Sequence, residues 1–250
     1  MSNSPLVSYT KISPNKTSPR NNKIDRITPH CVVGQLSAES ICSCFTSPSR
    51  QASCNYGIGY DGRISLCVDE KDRSWCSSSG ANDHRAITIE CASDKTAPYA
   101  MNNAVYTSLI SLCTDICKRN GKNKLLWFGD KEKTLAYKPK ENEMVITVHR
   151  WFANKSCPGD WLYNRLDDLA ERVTKNLQAT TTTEYYPKYT GTSKLIDTVF
   201  KAIGVPSKFR GKWSARKPIA QANGIENYVG SATQNLKLIN LAKLGKLKRV

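Results

Sequence analysis

Three short runs of mostly β-branched residues each end in a side chain that could serve at a zinc site. No other feature of the chain constrains its fold as strongly. The runs are Ile27–His30, Ile87–Glu90 and Val145–His149. β-Branched residues favour strands, and functional side chains of open α/β sheets collect outside strand ends. We therefore expect His30, Glu90 and His149 to converge if their strands are neighbours.

A cysteine completes a possible metal-ligand set. Cys157 follows His149 after a loop of seven residues, long enough to return its sulfur to the histidine. Two imidazoles and a thiolate would give zinc three protein ligands and leave a fourth position for water, as in catalytic zinc sites. Glu90 could accept a proton from that water, and Lys155 could stabilise an oxyanion. Spacing alone leaves open that the histidines are ordinary polar residues, Cys157 a turn thiol and Lys155 a solvated lysine.

The alternation of strand and helix patterns predicts an α/β domain with a mixed central β-sheet flanked by helices. We predict strands at residues 23–33, 55–59, 63–68, 86–91 and 144–149 and helices at 38–45, 102–119 and 160–177. Residues 1–22 are expected to form a flexible or loosely docked lead. We place the catalytic domain at 1–178, a linker at 179–189 and a small, mostly helical C-terminal domain at 190–250.

Positive charge is concentrated at the C-terminal end. The chain has a net charge of +16, and residues 185–250 carry 13 Lys and Arg against two acidic residues. This segment is expected to meet a polyanion or an anionic surface. Nucleic acid would fit that charge, but no nucleic-acid-binding motif supports it.

Composition favours a globular protein made in the cytoplasm. No apolar stretch approaches the ~20 residues that span a bilayer, and Met1–Asn22 lacks the apolar core of a secretory signal. The ten cysteines are therefore expected to be mostly reduced, packed thiols. We expect synthesis in the cytoplasm with no membrane span.

Several motifs in the same order resemble those of the type 2 N-acetylmuramoyl-L-alanine amidases, a family that includes phage endolysins and peptidoglycan-recognition proteins. The matching motifs are Ile27–His30, the hairpin Asn55–Ile64, the strand Ala86–Glu90, and His149-x7-Cys157 with Lys155 two residues before the cysteine. The resemblance covers residues 23–178. It implies the type 2 amidase fold and cleavage of the amide between N-acetylmuramic acid and L-alanine in peptidoglycan.

The resemblance also assigns roles to residues. It implies that His30, His149 and Cys157 bind Zn²⁺, that Glu90 is the general base and that Lys155 stabilises the oxyanion. Many members carry a catalytic tyrosine where this chain has Cys54, so the mechanism is expected to depend on Glu90. Cys157 favours an active enzyme over a non-catalytic peptidoglycan-recognition protein, which remains the alternative.

Other residues give weaker predictions. Trp75, Asn82, Asp83 and Arg85 precede the Glu90 strand and could line a substrate groove, or could form a polar loop packed by one tryptophan.

The C-terminal segment resembles, less specifically, the wall-binding modules of endolysins. Its charge suits teichoic acid or another anionic wall polymer. Trp213 and Tyr228 could stack on sugars or could pack the core of the small domain. As an endolysin, the protein would act on the cell wall after release from the host cytoplasm.

Overall fold

The computed structural model describes residues 2–179 and 185–250. The chain divides into two compact units, Met1–Gln178 and Ala179–Val250. No helix in the described ranges combines the length and apolar character needed to cross a bilayer.

The first unit is built on a mixed seven-stranded sheet, as predicted. Its strands, in chain order, are β1 Val7–Thr10, β3 Arg26–Cys31, β4 Tyr56–Ile58, β5 Ile64–Leu66, β7 Ala86–Cys91, β8 Lys124–Leu126 and β9 Glu143–Ile146. They are arranged in the order β1-β5-β4-β7-β3-β9-β8. The pair β4–β5 is antiparallel, and the other neighbours are parallel. Two short strands, β2 Lys16–Thr17 and β6 Arg73–Ser74, form a separate antiparallel pair.

Helices flank this sheet. They are α1 Ala38–Ser43, α2 Gly80–Asp83, α3 Asn103–Arg119, α4 Lys131–Ala136, α5 Asp160–Tyr163 and α6 Leu166–Ala179. The longest, α3, begins where the Asn102 side chain accepts a hydrogen bond from the Val105 amide, a favourable N-cap. Leu109, Leu112 and Ile116 lie on its buried face. This face packs in the main hydrophobic core with the sheet.

Two predictions in this unit are wrong. The predicted helix 160–177 is interrupted between α5 and α6, where the Asn164 and Arg165 amides bond Asp160 and Leu162 in a tight turn. The N-terminal segment is not a flexible or loosely docked lead, because β1 pairs with β5. In addition, the buried Arg20 guanidinium donates to the carbonyls of Glu70 and Asp72. Polar bonds rather than an apolar pattern hold this segment, so hydrophobic periodicity does not reveal it.

The cysteines follow the expectation with one exception. Cys42 in α1 and Cys67 after β5 form a disulfide, although the sequence predicts reduced thiols. Both residues are buried in a small cluster that includes Ile41 and Phe45. Five of the eight free cysteines are buried, in line with the prediction of packed thiols.

The second unit is helical around its own core. It contains α7 Ile196–Ala202, α8 Trp213–Ala222 and α9 Ala232–Lys243. Tyr186 and Tyr189, which the sequence assigns to a linker, are buried in this core, and their amides donate to Leu247 and Ala242. The folded unit thus includes the end of the predicted linker. Residues 180–184, the middle of that linker, lie outside the described residues.

Candidate active site

Strand register brings His30 and Glu90 side by side. His30 in β3 is paired directly with Glu90 in β7, and the strands are parallel. Both side chains therefore lie at the carboxyl end of the sheet. The neighbouring strand β9 ends at Ile146, and His149 begins a 3₁₀ turn three residues later. The predicted strand was too long, but His149 still lies at the same edge.

His30, His149 and Cys157 lie together in a geometry that fits a metal ion. Their ligand atoms are all within 4.8 Å of one another. His30 Nδ1 is 3.2 Å from Cys157 Sγ, and the two imidazole ring centroids are 5.1 Å apart. Imidazole nitrogen and thiolate sulfur are the donors that zinc prefers. The residue types and their spacing therefore fit zinc.

Both histidines are held in the neutral form that binds metals. Burial, together with a smaller effect of the nearby His149, lowers the pKa of His30 to about 3. Burial also lowers the pKa of His149, helped by the charge of Lys155. His149 Nε2 lies 2.9 Å from Ser78 Oγ. With its proton on Nε2, His149 would donate a hydrogen bond to Ser78 and leave Nδ1 free to bind a metal. Metal-binding histidines commonly donate their other ring N–H to a neighbouring group in this way.

A folded loop returns Cys157 to the histidines. The Arg150 amide donates to the Cys157 carbonyl at 3.1 Å, and the Arg150 guanidinium donates to Ser156 O at 2.5 Å. Trp151 fixes the start of the loop by stacking on Trp127 at 5.1 Å. A hydrogen bond with Cys31 and, to a smaller extent, burial raise the pKa of the Cys157 thiol. Metal binding must therefore displace its proton.

Glu90 has the properties of a general base that works near neutral pH. Burial raises the pKa of Glu90 to about 7, against smaller lowering effects of Cys76 and Arg50. Its Oε1 lies 3.8 Å from Cys76 Sγ, whereas its Oε2 is buried and has no hydrogen-bond partner within residues 2–179 and 185–250. A base with a pKa near the working pH transfers protons most effectively.

These groups open onto one cavity of about 570 Å³. Glu90, His149 and Cys157 line it together with the exposed Lys155. Trp75 is also in the wall, and its indole donates to Thr17 Oγ1 at 2.9 Å. The structure therefore brings Lys155 and Trp75 to the candidate site.

The other predicted groove residues have structural partners. Asn82 is buried and hydrogen-bonds Thr28 and Thr147 at 3.0 Å each. Asp83 borders the cavity, but its carboxylate accepts from the Ser77 hydroxyl and the Cys76 amide. The prediction that Asn82 lines a groove is wrong because its buried amide bonds these threonines, whereas Asp83 lies in the cavity wall with its carboxylate bonded within the loop.

Arg85 lies away from the cavity. It precedes the first residue of β7 and forms an ion pair with Asp25, whereas Glu90 is near the opposite end of that strand. Five residues of strand span about 16 Å. The prediction of Arg85 as a groove residue is therefore wrong.

Cys54 does not replace a catalytic tyrosine. It is fully buried, and it belongs to the cluster around Cys42 and Phe45. Burial raises the pKa of its thiol well above the usual value. A protonated, buried thiol offers no accessible acid or base.

Sequence reasoning missed other cavity residues. Arg50, Arg73, Cys76 and Ser78 line the cavity, and Ser78 has a left-handed backbone with φ of 61°. The run Cys76-Ser77-Ser78-Ser79-Gly80 was a usable signal. Small polar residues between strands commonly form functional loops.

In the second unit, the two predicted wall-binding aromatics differ. Trp213 is 46% exposed, whereas Tyr228 is 1% exposed. The Tyr228 hydroxyl accepts from Arg216 Nε at 3.1 Å and donates to Asn235 Oδ1. Tyr228 is therefore a core residue that cannot stack on a sugar, and its predicted role is wrong.

A family model described as N-acetylmuramoyl-L-alanine amidase matches residues 20–160. This match spans more than half of the chain, including the two histidines, Glu90 and Cys157, so the chain belongs to that amidase family. Its activity is accordingly that of an N-acetylmuramoyl-L-alanine amidase, a hydrolase of bacterial peptidoglycan. No curated protein sequence matches the chain.

Solved structures resemble the chain more distantly. A mutant endolysin from Bacillus subtilis is 16% identical with a TM-score of 0.47, covering 66% of this chain and 97% of that one. The amidase LysC from Clostridium intestinale URNW is 14% identical with a TM-score of 0.43, covering 65% and 97%. The endolysin of bacteriophage Ph2119 from Thermus scotoductus MAT2119 is 14% identical with a TM-score of 0.44, covering 63% and 89%.

Proposed function

We propose that the protein is a zinc-dependent phage endolysin. It hydrolyses the amide between the lactyl group of N-acetylmuramic acid and L-alanine, and its second unit retains it on the cell wall. The convergence of His30, His149 and Cys157, beside a cavity that Glu90, His149 and Cys157 line, carries this proposal. Synthesis in the host cytoplasm and release to the wall are part of it.

The donor atoms of the first unit support zinc dependence. His30, His149 and Cys157 would hold the ion. When bound, zinc supplies Lewis-acid polarisation of the scissile carbonyl and lowers the pKa of water. Two neutral imidazoles and one thiolate contribute a single negative charge. The zinc site would therefore keep a net positive charge, which polarisation of the carbonyl and of water requires.

Glu90 would move the proton. Its raised pKa of about 7 lets it accept a proton from the attacking water and return that proton to the leaving nitrogen of L-alanine. Lys155, exposed at the cavity, would stabilise negative charge that develops on the carbonyl oxygen. Trp75 in the cavity wall offers an apolar surface to the substrate.

The second unit would bind an anionic wall polymer such as teichoic acid. Residues 185–250 carry 13 Lys and Arg against two acidic residues, which favours polyphosphates through long-range attraction. The exposed Trp213 would add an aromatic contact. Binding of this type weakens as salt screens the charges.

Mass spectrometry of digested walls tests the proposal. Purified peptidoglycan treated with the zinc-loaded protein should release peptides with a free N-terminal L-alanine. New reducing sugar ends without free L-alanine would indicate a glycosidase. Walls that bind the protein but remain intact would indicate a non-catalytic recognition protein.

A further inference from the structure

A second group of metal-binding side chains adjoins the candidate zinc site. The ligand atoms of His30, Cys76 and Glu90 all lie within 4.8 Å of one another. This group shares His30 with the first set but replaces His149 and Cys157 by a thiol and a carboxylate. Cys76 comes from the loop after β6, and Glu90 comes from β7.

Two of the three residues in this second group have a buried polar atom without a hydrogen-bond partner among the described residues. His30 Nδ1 lies beside Cys157 Sγ, whereas His30 Nε2 is buried and has no partner among the described residues. Glu90 Oε2 is also buried and unpartnered, and Glu90 Oε1 has a weak thiol contact with Cys76 at 3.8 Å. Buried polar atoms normally have partners. Two such atoms near one thiol indicate a missing ligand.

We propose that His30, Cys76 and Glu90 form a second binding site for a zinc-type divalent cation, with His30 shared between the two ions. An imidazole has two nitrogens, each of which can hold one metal. Nitrogen, sulfur and oxygen donors together select a borderline-soft ion such as Zn²⁺, Co²⁺ or Cd²⁺ rather than Mg²⁺ or Ca²⁺.

Binding at the second site releases protons. The Cys76 thiol loses its proton to become a thiolate, and His30 loses its remaining N–H proton to bridge two ions. A protonated Glu90 loses its proton as well. No electrons are transferred, and the released protons pass to solvent. Occupancy therefore increases with pH, as for other thiolate metal sites.

The second ion would inhibit hydrolysis. Its binding occupies the Glu90 carboxylate, so this consequence rests on the proposed role of Glu90 as general base. One zinc ion per chain would support activity, and excess zinc would suppress it. Zinc bound at the second site would thus inhibit hydrolysis at the first.

Another cavity thiol provides a matched control. Cys44 is exposed and lines the same cavity as Cys76, but it belongs to neither metal-binding group among the described residues. Substitution of Cys44 therefore removes a cavity thiol without removing a ligand. Any effect restricted to Cys76 reflects the second site.

Metal stoichiometry tests the proposal in the full-length protein. Equilibrium dialysis against excess zinc should give two ions per wild-type chain, two for Cys44→Ser and one for Cys76→Ser. Cobalt titration should show a second thiolate charge-transfer step that is lost only in Cys76→Ser. Cys76→Ala provides a second test of the ligand, and circular dichroism confirms that each variant is folded.

Activity assays separate this proposal from the proposed function. Excess zinc should inhibit the wild type and Cys44→Ser, relative to each protein loaded with one ion, but not Cys76→Ser. One ion per wild-type chain, or two in folded Cys76→Ser and Cys76→Ala, would overturn the second site even if L-alanine is released normally. Two ions without any hydrolysis would instead contradict the proposed function and leave the second site standing.

Discussion

The two units use their conspicuous polar residues in opposite ways. In the first unit, His30 and Glu90 each have a buried atom without a hydrogen-bond partner among the described residues, and Glu90 lines a cavity. In the second unit, the buried Tyr228 hydroxyl bonds the Arg216 guanidinium and the half-buried Asn235 side chain. Buried polar atoms without hydrogen-bond partners therefore indicate a binding or catalytic site in the first unit. In the second unit, the proposed wall binding would depend on the exposed charges and on Trp213 rather than on the buried network.

The largest expected effect tests the ligand set of the first unit. Cys157→Ser should lose tightly bound zinc and all detectable wall lysis, because serine replaces a thiolate ligand with a hydroxyl that zinc binds poorly. Metal analysis and lysis of purified walls measure both effects. Cys44→Ser removes a cavity thiol outside the ligand set and should keep both properties. Full lysis by Cys157→Ser would remove the assigned metal site.

The next effect separates metal binding from proton transfer. Glu90→Gln should retain zinc at the first site but lose about 10²–10⁴-fold in turnover, the usual contribution of a positioned general base. Release of L-alanine from soluble muropeptides measures the rate. Glu39→Gln is a matched control, because Glu39 pairs with Arg63 at the surface and does not line the cavity. Normal turnover in Glu90→Gln would exclude Glu90 as the base.

Much of this unit could be predicted from sequence because strands have simple signatures. The runs before His30 and Glu90 are β-branched, and parallel strands place their carboxyl ends at one edge. The strand β8 was missed because Lys124–Leu126 is only three residues long and has no readable alternation.

The errors at the site have a common physical origin. The sequence places Asn82 in a polar loop that could line a groove. In the structure Asn82 is buried and hydrogen-bonds Thr28 and Thr147. Cys76 was not singled out, because its approach to Glu90 depends on the folded path of a serine-rich loop. Contacts between residues brought together only by tertiary structure leave no periodic signal in the sequence.

A smaller effect concerns the energetic cost of keeping Glu90 buried. Its folded pKa of about 7 lies above the ordinary value of 4.5, so the folded state retains the proton more strongly than the unfolded state. The contribution of Glu90 to the stability of metal-free protein should therefore fall as pH rises from about 4.5 to 7. Glu90→Gln should remove this contribution and, relative to the wild type, stabilise metal-free protein at pH 8 by about 3 kcal/mol at most.

Chemical denaturation at low and high pH measures this effect. The difference in the free energy of unfolding between wild type and Glu90→Gln should be smallest below the unfolded pKa of Glu90 and largest above pH 7. Glu39→Gln provides a comparison that should change with pH in the opposite direction, because hydrogen bonds from its own backbone and from Arg63 hold the pKa of Glu39 below its usual value. A constant difference across pH would show that Glu90 does not carry the cost of ionisation in the folded protein.

The smallest effects distinguish the core from the exposed surface of the second unit. Tyr228→Phe should destabilise the protein by about 1–3 kcal/mol, because it leaves buried partners at Arg216 and Asn235 without the hydroxyl. It should retain wall binding at temperatures where it is folded.

Trp213→Ala should instead leave the unfolding temperature nearly unchanged and weaken wall binding several-fold, a loss of about 1 kcal/mol. Thermal unfolding and sedimentation with purified walls measure the two properties. Equal wall retention by Trp213→Ala and the wild type would leave the lysines and arginines as the sole binding surface proposed for this unit.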